Sequence, residues 1–271
     1  MPSLATTILD LRQLDTLARQ NSPVHRLDAR AKTVVTLIFI ICVVSYPKYD
    51  IAVILPFSIF PICLTTTAGL PAAYLARKVL AVLPFVVLVG LCNPLIDRET
   101  LLQFGQIPVS GGWVSMFSIV IRGTLTIAAA FILVGTTGMT AMTAALGRMG
   151  VPRIFCQQLL FMHRYLFVLG EEAGRAARAR ELRSFGSRDR SIASAAALIG
   201  HLLLRTWQRA ERIYTAMLSR GYAGAMPESG DHARLAAVDL AFMAGWILIF
   251  AVLRMTHLPG LIGPAVKAVF S

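Results

Sequence analysis

Two arginines stand in matching short contexts, thirty-seven residues apart: Leu182-Arg183-Ser184-Phe185-Gly186 and Ser219-Arg220-Gly221-Tyr222-Ala223-Gly224. Each context is an arginine, a small residue, an aromatic, and a glycine soon after. Glycine just past the last turn suits a helix C-cap, where the backbone turns left-handed. A cation near that end is favoured by the helix macrodipole. A single end of this kind needs no further explanation. Two on neighbouring helices present two flat five-donor forks, each able to grip a carboxylate bidentately. The chemistry implied is docking: a partner with two acidic pockets, or a dimer with one each.

Catalytic and metal chemistry find little support. The lysines are Lys32, Lys48, Lys78 and Lys267, and none follows the glycine spacing of a phosphate-binding loop. Nucleophile-elbow, zinc-protease and paired-carboxylate motifs are missing from the sequence. His25, His163, His201, His232 and His257 are scattered, and Cys42, Cys63, Cys92 and Cys156 fall singly, three of them in apolar runs. The expectation is a chain that is not an enzyme, holds no cofactor and ligates no metal.

The elements that must position the arginines are membrane elements. Of 271 residues, 56% are hydrophobic and 15% charged, with a net charge of +12 and a mean hydropathy of +0.67. An ordinary soluble domain is about 25% charged, and disorder needs low hydrophobicity, so both classes are excluded. A basic chain could bind nucleic acid, but apolar runs of membrane length point to anionic lipid or a partner protein instead. A spanning helix takes about 20 mostly apolar residues. Five stretches qualify, some narrowly: 31–46, 51–70 with Pro56 and Pro61 as kinks, 79–96, 113–137 and 235–253. Residues 1–32 are polar and mixed in charge, so no cleavable signal peptide is expected.

Charge placement sets an orientation. Segment 1–32 holds Arg12, Arg19, Arg26, Arg30 and Lys32 against Asp10, Asp15 and Asp28; loop 71–78 holds Arg77 and Lys78; loop 97–112 holds Asp97, Arg98 and Glu99. Segment 138–234 holds fourteen arginines and seven acids. The positive-inside rule puts 1–32, 71–78 and 138–234 in the cytoplasm. Arg254 and Lys267 on the outer tail run against it. The runs 154–169 and 192–204 read as parts of long helices at the cytoplasmic face, and the competing topology makes them a sixth and seventh crossing.

Those two helices carry the arginines at their ends. From Ile192 to Arg220, Leu203, Trp207, Ala210, Tyr214 and Met217 recur on one face, and Arg205, Arg209 and Arg212 on another. The basic stripe fits either a helix on anionic lipid or one that docks a protein. From about Phe155 to Arg183 the chain starts after Pro152, apolar first and then rich in alanine and glycine. Glu171 and Arg175 form an i, i+4 ion pair there. Ala173, Gly174, Ala176, Ala177 and Ala179 are small enough for close helix approach and sliding, although a compositional bias toward alanine explains them equally well.

At these residues the sequence resembles the transmembrane T component of energy-coupling factor (ECF) transporters, vitamin and metal importers of the ABC class. The runs RYLFVLGEEAGRAARARELRSFG and RAERIYTAMLSRGYAG fit that family, as does SPVHRLDARAKTVVTL before the first span. The extended first motif is most similar to the cobalt-type CbiQ component. Ser219 stands where alanine is common. The resemblance implies an all-α polytopic membrane protein, with about five transmembrane helices plus long cytoplasmic coupling helices. It implies one transmembrane domain over 1–271, its coupling region at about 138–234. Leu182, Arg183, Ser184, Ser219, Arg220 and Gly221 would dock two ATP-binding subunits. ATP and magnesium would be held by those partners, and a separate substrate-binding membrane subunit would take up cobalt, or another metal or vitamin. The expected location is the cell inner (plasma) membrane, multi-pass, with a cytoplasmic N-terminus, in contact with lipid and with no nucleic acid. The alternative is a stand-alone secondary transporter. Such proteins place ionisable residues mid-membrane, and here Arg122 and Asp239 approach a span only near its edges.

Overall fold

A computed structural model describes residues 13–47, 51–96, 100–104, 107–183, 192–222 and 235–255. Among the described residues the fold is all-α apart from one small hairpin. Helix α1 is Ala29–Val44; a broken helix follows as Ile51–Ile54, a 3-10 turn Leu55–Ser58, and α2, Ile59–Ala68. Next come α3 (Ala72–Leu91), a single turn Asn93–Ile96, strands β1 (Thr100–Phe104) and β2 (Ile107–Ser110), and α4 (Gly111–Arg148). Helices α5 (Arg153–Arg183), α6 (Ile192–Ser219) and α7 (Ala237–Met255) complete the described chain.

Among the described residues, α3, α4 and α7 are long and apolar enough to cross a membrane. The apolar stretches 31–46 and 51–70 instead form shorter helices. Pro56 sits at the start of the 3-10 turn and splits the second of them, because its ring has no N–H to continue the ladder. The third stretch begins earlier than its hydropathy suggests. Arg77 and Lys78 lie inside α3 rather than in a loop; long basic side chains near a helix end can reach out of the apolar layer. Loop 97–112 contains an antiparallel hairpin, with Leu102 opposite Val109 and Phe104 opposite Ile107. The fourth stretch ends where expected. Gly138 takes φ 72, ψ 155 and breaks α4.

The chain forms two compact units. One comprises residues 17–138 and 233–271, the other 1–16 and 139–232. In the first, the core is aromatic. Phe39 of α1, Phe57, Phe60 of α2 and Phe250 of α7 are fully buried. Phe39 stacks on Phe60 at 4.6 Å, Phe60 meets Trp246 edge-on at 4.9 Å, and Phe250 lies 5.6 Å from Phe39. The outward faces stay apolar: Leu80, Phe85 and Leu88 of α3 are exposed, as a lipid-facing helix requires.

Polar ties at the two ends of α1 give the helix directions. At its start, the Asp28 N–H donates to Asp239 Oδ1 in the first turn of α7 (2.8 Å), and Lys32 donates to the Thr136 carbonyl of α4 (2.9 Å). At its finish, Arg122 of α4 donates to the carbonyls of Tyr46 (2.9 Å) and Pro47, and Arg254 of α7 donates to Ser45 Oγ (3.2 Å). Arg254 also lies over the Tyr46 ring at 5.4 Å. So α1 and α7 run parallel, and α4 runs antiparallel to both. Arg254, which counts against the positive-inside reading, is a cation at the carbonyl end of α1, where the helix dipole favours it.

Candidate functional site

Both arginine-tipped helices belong to the second unit, and their limits, Arg153–Arg183 and Ile192–Ser219, lie within two residues of the expected ones. Pro152 precedes the first, and its carbonyl accepts the Phe155 N–H at 3.0 Å. The second ends in a left-handed residue, Gly221 at φ 80. The N–H groups of Arg220, Gly221 and Tyr222 return to Met217, Leu218 and Met217 carbonyls, each at 3.0 Å, which satisfies carbonyls the helix would otherwise leave open.

Contacts between the two helices fix their relation. Gln157, near the start of α5, accepts the Tyr222 hydroxyl proton at 3.0 Å, just past the end of α6. Farther along, Glu172 of α5 meets Arg205 Nε at 2.6 Å and Arg209 at 3.0 Å. Rising residue numbers on α5 meet falling numbers on α6, so the helices are antiparallel. Arg183 lies eleven residues beyond Glu172, and Arg220 eleven beyond Arg209. At 1.5 Å per residue each arginine stands about 16 Å from the ion pair, in opposite directions. Arg183 and Arg220 are both exposed, as are Leu182, Ser219 and Gly221. Ser184, with the glycine of the first motif, lies outside the described residues.

The basic stripe of α6 divides. Arg205 and Arg209 turn toward Glu172 instead of standing as a lipid-facing row, while Arg212 Nε donates to the Gln208 carbonyl one turn back (3.2 Å). Glu172 is buried, 4% exposed. A carboxylate this far from water is tolerated only when paired. The expected Glu171–Arg175 pair is present at 3.9 Å, on the surface. Sequence reading missed Glu172, although a signal existed: its i+4 position is Ala176, while the partner helix offers two arginines four residues apart.

Small residues do not make a tight crossing at Gly174. A Cβ added there would meet only the Arg178 side chain, at 3.8 Å. The helices instead leave an open groove of about 580 Å³. Its walls include Phe161, Met162 and Tyr165 from α5, with Trp207, Tyr214 and Met217 from the apolar face of α6. His163 lies 3.3 Å from Asp15 and edge-on to Phe167. Among the described residues, no three histidine, cysteine or acidic side chains cluster as a metal site would require.

Sequence comparison relates the chain to known proteins. A putative fused cobalt transport protein, CbiMQ, of Methanocorpusculum labreanum is 29% identical over 160 residues, covering 56% of this chain and 26% of the relative. Two uncharacterized proteins of Methanocaldococcus jannaschii also match. One is 32% identical over 90 residues, a third of each chain. The other is 24% identical over 240 residues, covering 84% of this chain and 81% of the relative. The chain thus spans about a quarter of the fused relative and a third of the second. Residues 20–233, most of the chain, match the family described as CbiQ, cobalt transport protein. This multi-pass membrane protein, with its buried Glu172 clamp between two long arginine-tipped helices, belongs to the CbiQ cobalt transport family.

Proposed function

We propose that the chain is the transmembrane coupling (permease) subunit of an energy-coupling factor ABC importer for cobalt. It links ATP hydrolysis in two partner ATPases to uptake through a separate substrate-binding membrane subunit. The observation that carries the reading is the placement of Arg183 and Arg220: exposed, at opposite ends of two antiparallel helices, equally far from an ion pair that joins them. Each guanidinium enters an acidic groove on one ATPase, as its fork geometry suits. Closure of the ATPases around ATP then moves both tips, and the shared Glu172 contact transmits the motion from one helix to the other. ATP and magnesium bind the partners. A second membrane subunit is supported by the fused relative of Methanocorpusculum labreanum, a cobalt transport protein named CbiMQ.

The orientation belongs to the same proposal. The N-terminus and the coupling helices face the cytoplasm, and the protein resides in the inner (plasma) membrane. The positive charge of 1–32 and 138–234 supports this, and parallel α1 and α7 fit an even number of crossings between their starts.

The test is co-expression with candidate ATPases and substrate-binding subunits, followed by purification in mild detergent and cobalt uptake in proteoliposomes. A four-component complex with ATP-dependent uptake is expected. Uptake by the purified chain without any ATPase would overturn the reading in favour of a secondary transporter.

A further inference from the structure

The N-terminal run SPVHRLDARAKTVVTL has no part in the docking proposal, yet the structure gives it a definite set of contacts. Lys32 lies in the first turn of α1 and is only 5% exposed. An ammonium that deep needs partners. Its Nζ donates to the Thr136 carbonyl at 2.9 Å, and Asp28 and Asp239 are its acidic neighbours. The small cavity beside it, lined by Val24, Thr36, Thr136 and Phe242 among others, has a volume of about 10 Å³. That is barely room for one water, so neither a ligand nor bulk solvent accounts for the lysine.

The acceptor explains it. Thr136 stands two residues before Gly138, whose φ of 72 ends the helical ladder. In an unbroken helix the Thr136 carbonyl would accept the N–H of residue 140. The break removes that donor and leaves a carbonyl in apolar surroundings, where an unmet polar group is costly. Lys32 replaces the lost N–H. Its charge also sits at the negative end of the 111–137 segment, where a cation is stabilised. Glycine is required at the break on two counts: the positive φ, and the 3.1 Å approach of an added Cβ to the Ala18 methyl.

We propose that Lys32 is a helix cap supplied in trans by α1, and that it holds the break of α4 at Gly138. The Gly138 bend thereby keeps one conformation at the residue where the membrane unit ends along the chain. This goes beyond the coupling reading and does not depend on it, because the effect belongs to the chain alone.

Hydrogen exchange of the full chain in detergent, followed by mass spectrometry, tests it. In Lys32→Met the amides of residues 131–137, the last two turns before the break, are expected to exchange at least tenfold faster. Amides of α5 and α6 keep wild-type rates, and Lys32→Arg, which keeps a charged donor, restores most of the protection. Wild-type exchange at 131–137 in Lys32→Met overturns the proposal. So does an equal loss across α1 and α7 that Lys32→Arg fails to rescue, which would make Lys32 a general structural charge. Should Lys32→Met not fold, Lys32→Gln decides in the same way: faster exchange confined to 131–137 supports the cap, and unchanged exchange there refutes it.

Discussion

Glu172 and Arg209 sit 3.0 Å apart across two antiparallel helices, and each lies eleven residues before the arginine at its own helix tip. The Glu172 side chain is 5% exposed, while those of Arg205 and Arg209 are 58% and 31% exposed. Removing one side of the cluster is therefore not equivalent to removing the other. Glu172→Gln leaves two arginines that water can reach, at a cost of about 1–2 kcal/mol. Arg205→Ala with Arg209→Ala strands a buried carboxylate and costs about 3–5 kcal/mol, as one-sided removal from a buried pair does. Thermal unfolding in detergent should rank the variants in that order. Trp207 is a local fluorescence probe, since its Nε1 donates to Glu211 on the same helix.

Exposed tips predict a different outcome. Arg183→Ala and Arg220→Ala should change the stability of the isolated chain by less than about 0.5 kcal/mol. Each should weaken ATPase binding by roughly 10–100-fold, the loss of one charge-assisted hydrogen-bonding group at about 1.5–3 kcal/mol. Titration of ATPase onto the immobilised chain measures both. Hypothesis and fold fail separately here: a destabilised chain points to a structural arginine, and unchanged ATPase affinity removes the docking role.

Gly221 meets open space, yet its φ is 80. Gly221→Ala therefore adds no clash but forces a side chain into the left-handed region, at about 1–2 kcal/mol. The expected result is local fraying. Exchange of the Arg220–Tyr222 amides should quicken, and the Tyr222–Gln157 bond should weaken, with no change in α3 or α7.

His25 makes the stability depend on pH. Its Nε2–H donates to the Leu17 carbonyl at 3.0 Å, so the neutral ring uses Nδ1 to accept from Ser22 Oγ at 2.7 Å. Burial lowers its pKa below the usual 6.5; the Leu17 bond opposes this, and the Lys32 charge adds to it. The fold thus favours the neutral ring. A pKa depressed on folding gives stability that is present above the unfolded value, about 6.5, and lost as pH falls through the folded one. Thermal midpoints should drop from pH 7 to pH 5, and His25→Gln should flatten part of that slope.

Phe60 packs against Phe39, Trp246 and Phe250. Phe60→Ala removes a fully buried ring and should cost about 3–5 kcal/mol. Exchange protection should fall in α1 and α7 and persist in α5 and α6, because the ring belongs to the other compact unit.

Much was legible in the sequence because single-segment physics dictates it. Apolar length located α4 and α7, and the end expected at residue 137 meets the break at Gly138. Prolines and periodicity bounded α5 and α6 to within two residues, and glycine chemistry foresaw the left-handed cap at Gly221. Hydropathy failed at Arg77 and Lys78, since a charge lowers the local average without ending a helix.

What the sequence by itself determined was therefore a membrane chain with two long, arginine-ended helices in its most basic segment. Only the tertiary structure decided which charges are structural. Lys32, Arg122, Arg205, Arg209 and Arg254 contact groups on other helices or at their ends, whereas Arg183 and Arg220 stand exposed. The reason is physical. Helix formation, capping and membrane length depend on neighbours a few residues away, which a sequence shows. An ion pair or a cap supplied by another helix joins residues dozens of positions apart, over a hundred for Lys32 and Thr136. Packing alone brings those together.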